Sequence, residues 1–286
     1  MDFITGEKIE LLCDAYIGSM YNLHFLPSVR ANKNKHMYIE QLIGLYNEKK
    51  LIKNPKILFI HGQLLGTFVQ IVDMFINPFV LIVHNSDENI TEKYIPLLNH
   101  PKLIHLFGQN LMVDHEKASY LPIGIANSVW KHGNLNTVQE VINLSNEGVI
   151  MKKNKVFFNF NINTCPSKRK PCFDIVSKKN IPYVKDQEYS EYLKALSSYQ
   201  FCICPEGNGV DCHRIWECLY LDVVPICLKN TLYENIAKDY PMILLNKWED
   251  LDESSLNYDD FCFDHDIMKK LNLSYYVGKI NSVGKN

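Results

Sequence analysis

The sequence predicts an α/β fold built on parallel sheet, and three observations carry that prediction. Short apolar, β-branched runs recur at 56–60, 79–83, 103–107, 155–160, 200–204, 223–227 and 242–245. They are apolar on nearly every residue, which marks strands buried on both faces. Segments of helical spacing lie among them, at 37–48, 64–75, 91–98, 188–197, 211–221 and 231–238, and such alternation is the pattern of helices covering a parallel sheet. The third observation is a break in the alternation between about Asn127 and Lys153, where Asn, Gly and Lys accumulate and apolar density falls. Such a stretch reads as a linker. It divides the chain into domains at 1–130 and 154–262, joined by 131–153 and followed by a terminal segment, 263–286, helical over about Phe263 to Ile280.

Composition agrees and narrows the function. The chain has 286 residues, 47% apolar and 22% charged, enough to bury large cores in about two domains. Its 30 Lys and Arg against 32 Asp and Glu leave a formal charge of −2, so no net basic field points to nucleic acid or anionic lipid. No apolar run approaches a membrane span, and Met1-Asp2-Phe3-Ile4-Thr5-Gly6 lacks the basic start and long apolar stretch of a secretion signal. The expectation is a cytoplasmic protein with no transmembrane segment. Nine cysteines then fit reduced thiols better than a disulfide framework. Cys202, Cys204, Cys212 and His213 raise structural zinc as an alternative, against which a Cys-x-Cys pair inside an apolar run is not the usual knuckle spacing.

Taken in order, the strand ends carry the polar residues. Ile60 is followed by His61-Gly62-Gln63, Val83 by His84-Asn85-Ser86-Asp87-Glu88-Asn89, and the third run by Gln109 and Asn110. Loops at the C-terminal edge of parallel strands are where open α/β folds bind ligands. After 155–160 come Asn161-Ile162-Asn163-Thr164 and then Ser167-Lys168-Arg169-Lys170-Pro171, a polar turn opening a helix. Arg169 there suits a bidentate contact with a diphosphate, the plain alternative being a solvated basic turn. The run at 200–204 leads into Pro205-Glu206-Gly207-Asn208-Gly209-Val210. Asp211 is then placed to cap a helix reaching about Leu221, and the next strand starts at Val223.

That loop and helix hold the densest chemistry. Gly207 and Gly209 permit close backbone approach and unusual dihedrals, so that the loop's N–H groups can face a phosphate at the helix start. His213 and Arg214 fall in the first helical turn, where the macrodipole disfavours cations unless an anion binds there. Glu217 lies on the face of Arg214 one turn deeper, where a carboxylate can accept hydrogen bonds from ribose hydroxyls. The plain alternative is an Arg214–Glu217 surface pair worth roughly a few tenths of a kcal/mol.

From Tyr199 to Ile226 the layout Tyr-x-Phe-x-x-x-Pro-Glu-Gly-Asn-Gly-x-Asp-x-x-Arg-x-x-Glu-x-Leu-x-x-x-x-x-Pro-Ile resembles the donor-binding segment of exostosin-like glycosyltransferases. Inverting fucosyltransferases share a looser version, and weaker similarity extends through 122–130 and 157–170. The resemblance implies a GT-B fold, two Rossmann-like α/β domains facing each other across a cleft, with the terminal segment packing back on the first. It implies a nucleotide-sugar donor, UDP-sugar favoured and GDP-sugar next, with the diphosphate on Arg214 and the ribose on Glu217. The donor set is then Arg169, Glu206, Gly207, Asn208, Gly209, Asp211, His213, Arg214 and Glu217. Exostosins typically carry a basic residue after the loop proline, where this chain has Glu206.

The same resemblance gives the N-terminal domain a glycan or other hydroxyl acceptor, and it implies transfer with inversion, without metal or resident cofactor. Inversion needs a general base for the acceptor hydroxyl. Asp87 is the first choice, with His61 and Glu88 behind it, and His84, Trp130 and His132 are candidate acceptor contacts, as are Gln109 and Asn110. Asp87 as the cap of a helix near Thr91, and His61 as a core histidine, are the plain alternatives. A metal-dependent GT-A enzyme would carry Asp-x-Asp early in the chain, whereas Asp264-His265-Asp266 lies in the tail and reads as a helix start. Two rivals stand beside this reading. A dinucleotide oxidoreductase would need Gly-x-Gly-x-x-Gly where His61-Gly62-Gln63-Leu64-Leu65-Gly66 stands. A non-catalytic module binding nucleotide sugar or glycan would keep Arg214 and Glu217 and be indifferent to Asp87→Asn.

Overall fold

The computed structural model describes residues 1–21, 27–185 and 187–283, so that 284–286 of the expected terminal segment lie outside the described residues. The fold is α/β, with two sheets whose strands are all parallel. The first part of the chain runs α1 (Gly6–Leu11), β1 (Ala15–Gly18), α2 (Pro27–Arg30), β2 (His36–Tyr38), α3 (Ile39–Asn47), β3 (Ile57–His61), α4 (Leu65–Ile71), β4 (Phe79–His84), α5 (Ile95–Leu98), β5 (Leu103–Gly108) and β6 (Ala118–Tyr120). Its six strands are ordered β2-β1-β3-β4-β5-β6. Successive residues of the central strands alternate between two cores. Leu58, Ile60, Leu81 and Val83 enter one, and Phe59, Val80 and Ile82 enter the other. Burial on both faces is why these strands read as unbroken apolar runs.

The chain continues through α6 (Leu135–Asn146), β7 (Asn154–Phe157), α7 (Pro166–Val176), α8 (Tyr189–Ser197), β8 (Tyr199–Ile203), α9 (His213–Tyr220), β9 (Val224–Leu228), α10 (Thr231–Ile236), β10 (Ile243–Leu245), α11 (His265–Lys270) and α12 (Leu273–Ser282). The second sheet runs in the order β10-β9-β8-β7. Two compact units result. Met1–Phe3 and Gly124–Asn272 form one, while Ile4–Ile123 and the chain from Leu273 onward form the other. Leu273, Tyr276 and Ile280 of α12 enter the core of Ile9, Tyr16 and Phe59. In the other unit Phe3 packs edge-on against Tyr220, 5.0 Å between ring centroids.

Several elements differ from the sequence reading. The stretch 131–153, read as a linker, folds as α6, capped by the Asn134 side chain, which accepts from Asn136 N and Thr137 N. Val138, Val141 and Ile142 are buried, and Ser145 Oγ lies 2.6 Å from Ser197 Oγ at the end of α8. Abundant Asn and Gln concealed an amphipathic helix, and the change of unit falls earlier, at Ile123 and Gly124, where Gly124 takes φ +66. Trp130 and His132 therefore belong to the C-terminal unit. The terminal segment holds two helices, and the units part between them, at Asn272 and Leu273. β1, β2 and β6, of three or four residues each, were not foreseen. Among the described residues no helix is long and apolar enough to cross a membrane.

Candidate functional site

In the C-terminal unit three loops meet at the C-terminal edge of the sheet, which runs in plain sequence order with no reversal among its strands. After β7, Lys168 and Arg169 enter α7; after β8 comes the Pro205–Cys212 loop; after β9, Asn230 caps α10. Arg169 ties the first two together. Its Nε donates to Glu206 O at 3.0 Å and its Nη1 to Asn161 O at 2.9 Å. Glu206 ties in the third, accepting from Asn230 Nδ2 at 3.1 Å and pairing with Lys168 Nζ at 3.1 Å. The acidic residue thus fastens the loop from beneath, and its side chain turns to cations and amide of the same unit. Gly207 does not adopt a left-handed φ, and a Cβ there would stand 3.5 Å from Arg169 Nη2. Its bareness leaves room beside the guanidinium. Asn208 is exposed at the loop tip, while Gly209 is buried and accepts from Gly207 N at 3.1 Å.

Asp211 does not cap α9. The cap position falls to Cys212, which makes no side-chain cap bond, because the buried indole of Trp216 needs an acceptor and takes Asp211 Oδ1 at 2.8 Å. Asp211 Oδ1 is thereby committed to Trp216, and Cys212 at the cap position adds no side-chain cap bond.

His213 and Arg214 open this helix as the sequence suggests. His213 Nδ1 lies 2.7 Å from Gly124 O. The Arg214 guanidinium lies over the Tyr192 ring, 5.1 Å from its centroid, with Nη2 3.4 Å from Asn159 Oδ1. Its Nη1 is buried and has no hydrogen-bond partner among the described residues. Burial, and beyond it the charge of Arg214, hold Arg169 below the usual arginine range. The two guanidinium groups thus repel one another. Glu217 does not pair with Arg214: it is buried, and its two oxygens accept from Tyr189 OH at 3.1 Å and Tyr192 OH at 2.8 Å. The phenols of α8 occupy the acceptor positions expected for ribose hydroxyls. Burial, and then the Glu217 charge, push Tyr189 far above the usual phenol range, so it remains a donor. The signal for these tyrosines was present in the sequence as an i, i+3 pair in the segment 188–197.

Trp130 and His132 sit on a tight loop of the same unit. Trp130 N donates to Asn127 O at 3.0 Å and Gly133 N to Trp130 O at 2.9 Å. Gly133 is obligatory, since a Cβ there would fall 2.1 Å from Asn127 O. The Trp130 and His132 rings stack at 6.2 Å, and His132 lies 6.1 Å from the His213 ring and 6.3 Å from Tyr189.

The N-terminal unit gathers its polar residues at the ends of β3, β4 and β5. His61 and His84 are register partners. His84 is buried with Nε2 3.0 Å from Pro122 O and Nδ1 3.1 Å from Asn85 Oδ1, so the acceptor contact expected of it is not on offer. Gln109 and Asn110 are likewise inward, with Gln109 Oε1 accepting from Asn85 N and Asn110 Nδ2 donating to Ser86 O. Asn85 and Asn110 both take left-handed φ, 54 and 53, at strand ends. Such conformations persist where the surroundings impose them, often at functional sites. Asp87 and Glu88 stand exposed on this loop, and no side-chain bond from Asp87 caps the helical turn at Thr91.

Glu10 was not foreseen. It comes from α1, is fully buried, accepts from Asn85 Nδ2 at 3.0 Å and places Oε1 3.9 Å from His61 Nε2. Burial raises its pKa to about 8. Nothing local marks this residue, because its neighbours come from 50 to 75 positions away. Gly6 lets α1 lie against the loop, since a Cβ there would fall 1.8 Å from Asn85 Oδ1.

All nine cysteines are free. The zinc alternative had joined Cys202 and Cys204 to Cys212 and His213, but the set brought within 4.8 Å is Cys202, Cys204 and Cys218. Strand alternation puts the first two on one face of the β8 line, and α9 supplies the third, with Cys204 and Cys218 sulfurs 3.8 Å apart. Burial pushes the Cys202 and Cys218 thiols well up, as expected of packed, protonated sulfur. The three thiols are those a soft metal would use. Asp264 of the tail Asp-x-Asp caps α11, accepting from Asp266 N and Ile267 N.

No family model matches the chain, and no curated protein matches it.

Proposed function

We propose that the chain is a glycosyltransferase of the two-domain, Rossmann-like GT-B type, moving a sugar from a nucleotide sugar to a hydroxyl of a glycan or glycoconjugate. UDP-sugar is the favoured donor and GDP-sugar the next. The observation that carries the reading is the Arg214 guanidinium in the first turn of α9, with a buried Nη1 lacking a partner among the described residues, in the electrostatic field of Arg169. A buried guanidinium nitrogen without an acceptor is costly, and a diphosphate would satisfy it while relieving the repulsion between Arg214 and Arg169. The N-terminal dipole end of α9 adds to the same field.

In this reading the chemistry divides between the units. A base in the N-terminal unit, Asp87 first, takes the acceptor proton as the oxygen attacks the anomeric carbon from the face opposite the leaving group. Negative charge develops on the departing nucleoside diphosphate, and Arg169, Arg214 and the α9 N-terminus stabilise it without a metal. Glu217 acts one step back, holding Tyr189 and Tyr192 against the donor. His61, beneath the loop and beside Glu10, is a weaker candidate for the base than exposed Asp87.

The test is a thermal-shift screen of UDP-, GDP- and CMP-sugars on the full chain and on Arg214→Ala. At least one donor should raise the melting temperature of the wild type, and the variant should lose that rise. A wild type indifferent to every nucleotide sugar defeats the reading.

A further inference from the structure

We propose that Trp130 forms the stacking wall of a nucleobase subsite at the start of α6, so that the donor is read at its base as well as its diphosphate. The proposal rests on the donor reading above. Its first support is contrast: Trp130 is 60% exposed, whereas Trp216 and Trp248 are at 0% and 4%. Most of this indole's apolar surface is left in water, with the His132 ring as its stacked neighbour. It is also held firmly, since the turn from Asn127 to Gly133 closes on two backbone hydrogen bonds and on a glycine that no other residue can replace without a clash. A preset aromatic ring binds at less entropic cost than a mobile one.

The surroundings suit a base. Trp130 borders a pocket of about 470 Å³ shared with Ser128, Lys131, Asn134 and Asn136, a size within the range of small-molecule sites. A nucleobase has two π faces and a polar edge, and this pocket sets an indole plane beside the side-chain amide of Asn136 and the amide NH2 of Asn134, whose Oδ1 caps α6. Continuity favours a base over a sugar ring. From His213, next to Arg214, one step of 6.1 Å reaches His132 and a second of 6.2 Å reaches Trp130. A cationic anchor at one end and an aromatic plane at the other, two rings apart within one unit, match a nucleoside diphosphate.

The experiment is a fluorescence titration of the full chain with UDP, GDP, inorganic pyrophosphate and a neutral oligosaccharide, repeated on Trp130→Ala, Trp130→Phe and Arg214→Ala. UDP or GDP should quench the wild-type emission and pyrophosphate should not. Trp130→Ala should weaken nucleoside diphosphate binding about tenfold or more, the scale of a lost base–aromatic stack, and Trp130→Phe should restore most of it. Pyrophosphate affinity, followed by calorimetry, should survive both Trp130 changes and fall in Arg214→Ala. Unchanged UDP and GDP affinity in Trp130→Ala overturns the subsite while leaving the donor reading intact. Loss of oligosaccharide binding alone in that variant reassigns Trp130 to the acceptor and also overturns it. If neither nucleotide nor pyrophosphate binds the wild type, both readings fall.

Discussion

Arg214 and Glu10 show opposite ways in which one buried charge-bearing group shapes this protein. Arg214 keeps a buried donor unsatisfied in the first turn of α9, whereas Glu10 is neutralised by burial at the heart of its unit. The raised Glu10 pKa has a definite consequence. Below its unfolded value of 4.5 the group is protonated in both states, and its contribution is complete. As pH rises toward about 8 the unfolded chain releases this proton and the folded one does not, so stability declines through that window and levels off above it. Denaturant midpoints at pH 5, 7 and 9 should therefore fall in the wild type, and Glu10→Gln should flatten the trend. In the proposed reading Asp87 serves the chemistry instead. Asp87→Asn should lower turnover by roughly 10²–10⁴, the usual contribution of a general base, with donor affinity unchanged; a loss of donor affinity of equal size would point to a binding role.

At the scale of elements, what could be read from sequence follows burial. β3, β4, β5, β7, β8, β9 and β10 announced themselves as apolar runs, most fully where burial is nearly complete, as in β3 and β4, and Arg169, Glu206 and Arg214 because they stand where such strands end. β1 is buried but joins Ala15, Tyr16 and Ile17 to a glycine, and β2 and β6 are half-buried edge strands that carry His36 and Ser119, so none of the three shows an unbroken aliphatic run. α6 hid behind its amides, and the partners of Glu217 and Glu10 come from other elements that only folding brings near. Two devices hold elements in place. Lys152 donates to the carbonyls of Ser197, Tyr199 and Leu221, closing the ends of α8 and α9 at once. Lys152→Met should destabilise the chain by about 1–3 kcal/mol in denaturant unfolding, since three buried carbonyls lose their donor. Gly133→Ala, forced against the Asn127 backbone, should cost about as much and displace Trp130, which an altered emission maximum would reveal.

For the whole molecule, the division of the chain matters more than its length. The C-terminal unit is almost one continuous stretch, 124–272, whereas the N-terminal unit needs α12 to finish its core. A fragment of residues 124–272 should show a cooperative thermal transition, somewhat lowered by loss of Phe3 from Tyr220. A fragment of residues 1–123 should not, because Leu273, Tyr276 and Ile280 are missing from the core they share with Tyr16 and Phe59. Adding a peptide of residues 273–283 should recover part of the structure, seen as circular dichroism. Synthesis on the ribosome gives this interleaving a temporal meaning. At about 5–20 residues per second, roughly 10 to 30 s separate residue 123 from residue 280. Throughout that interval an apolar sheet face waits for its last helix, exposed to chaperones and to neighbouring nascent chains, while the unit made later completes itself first.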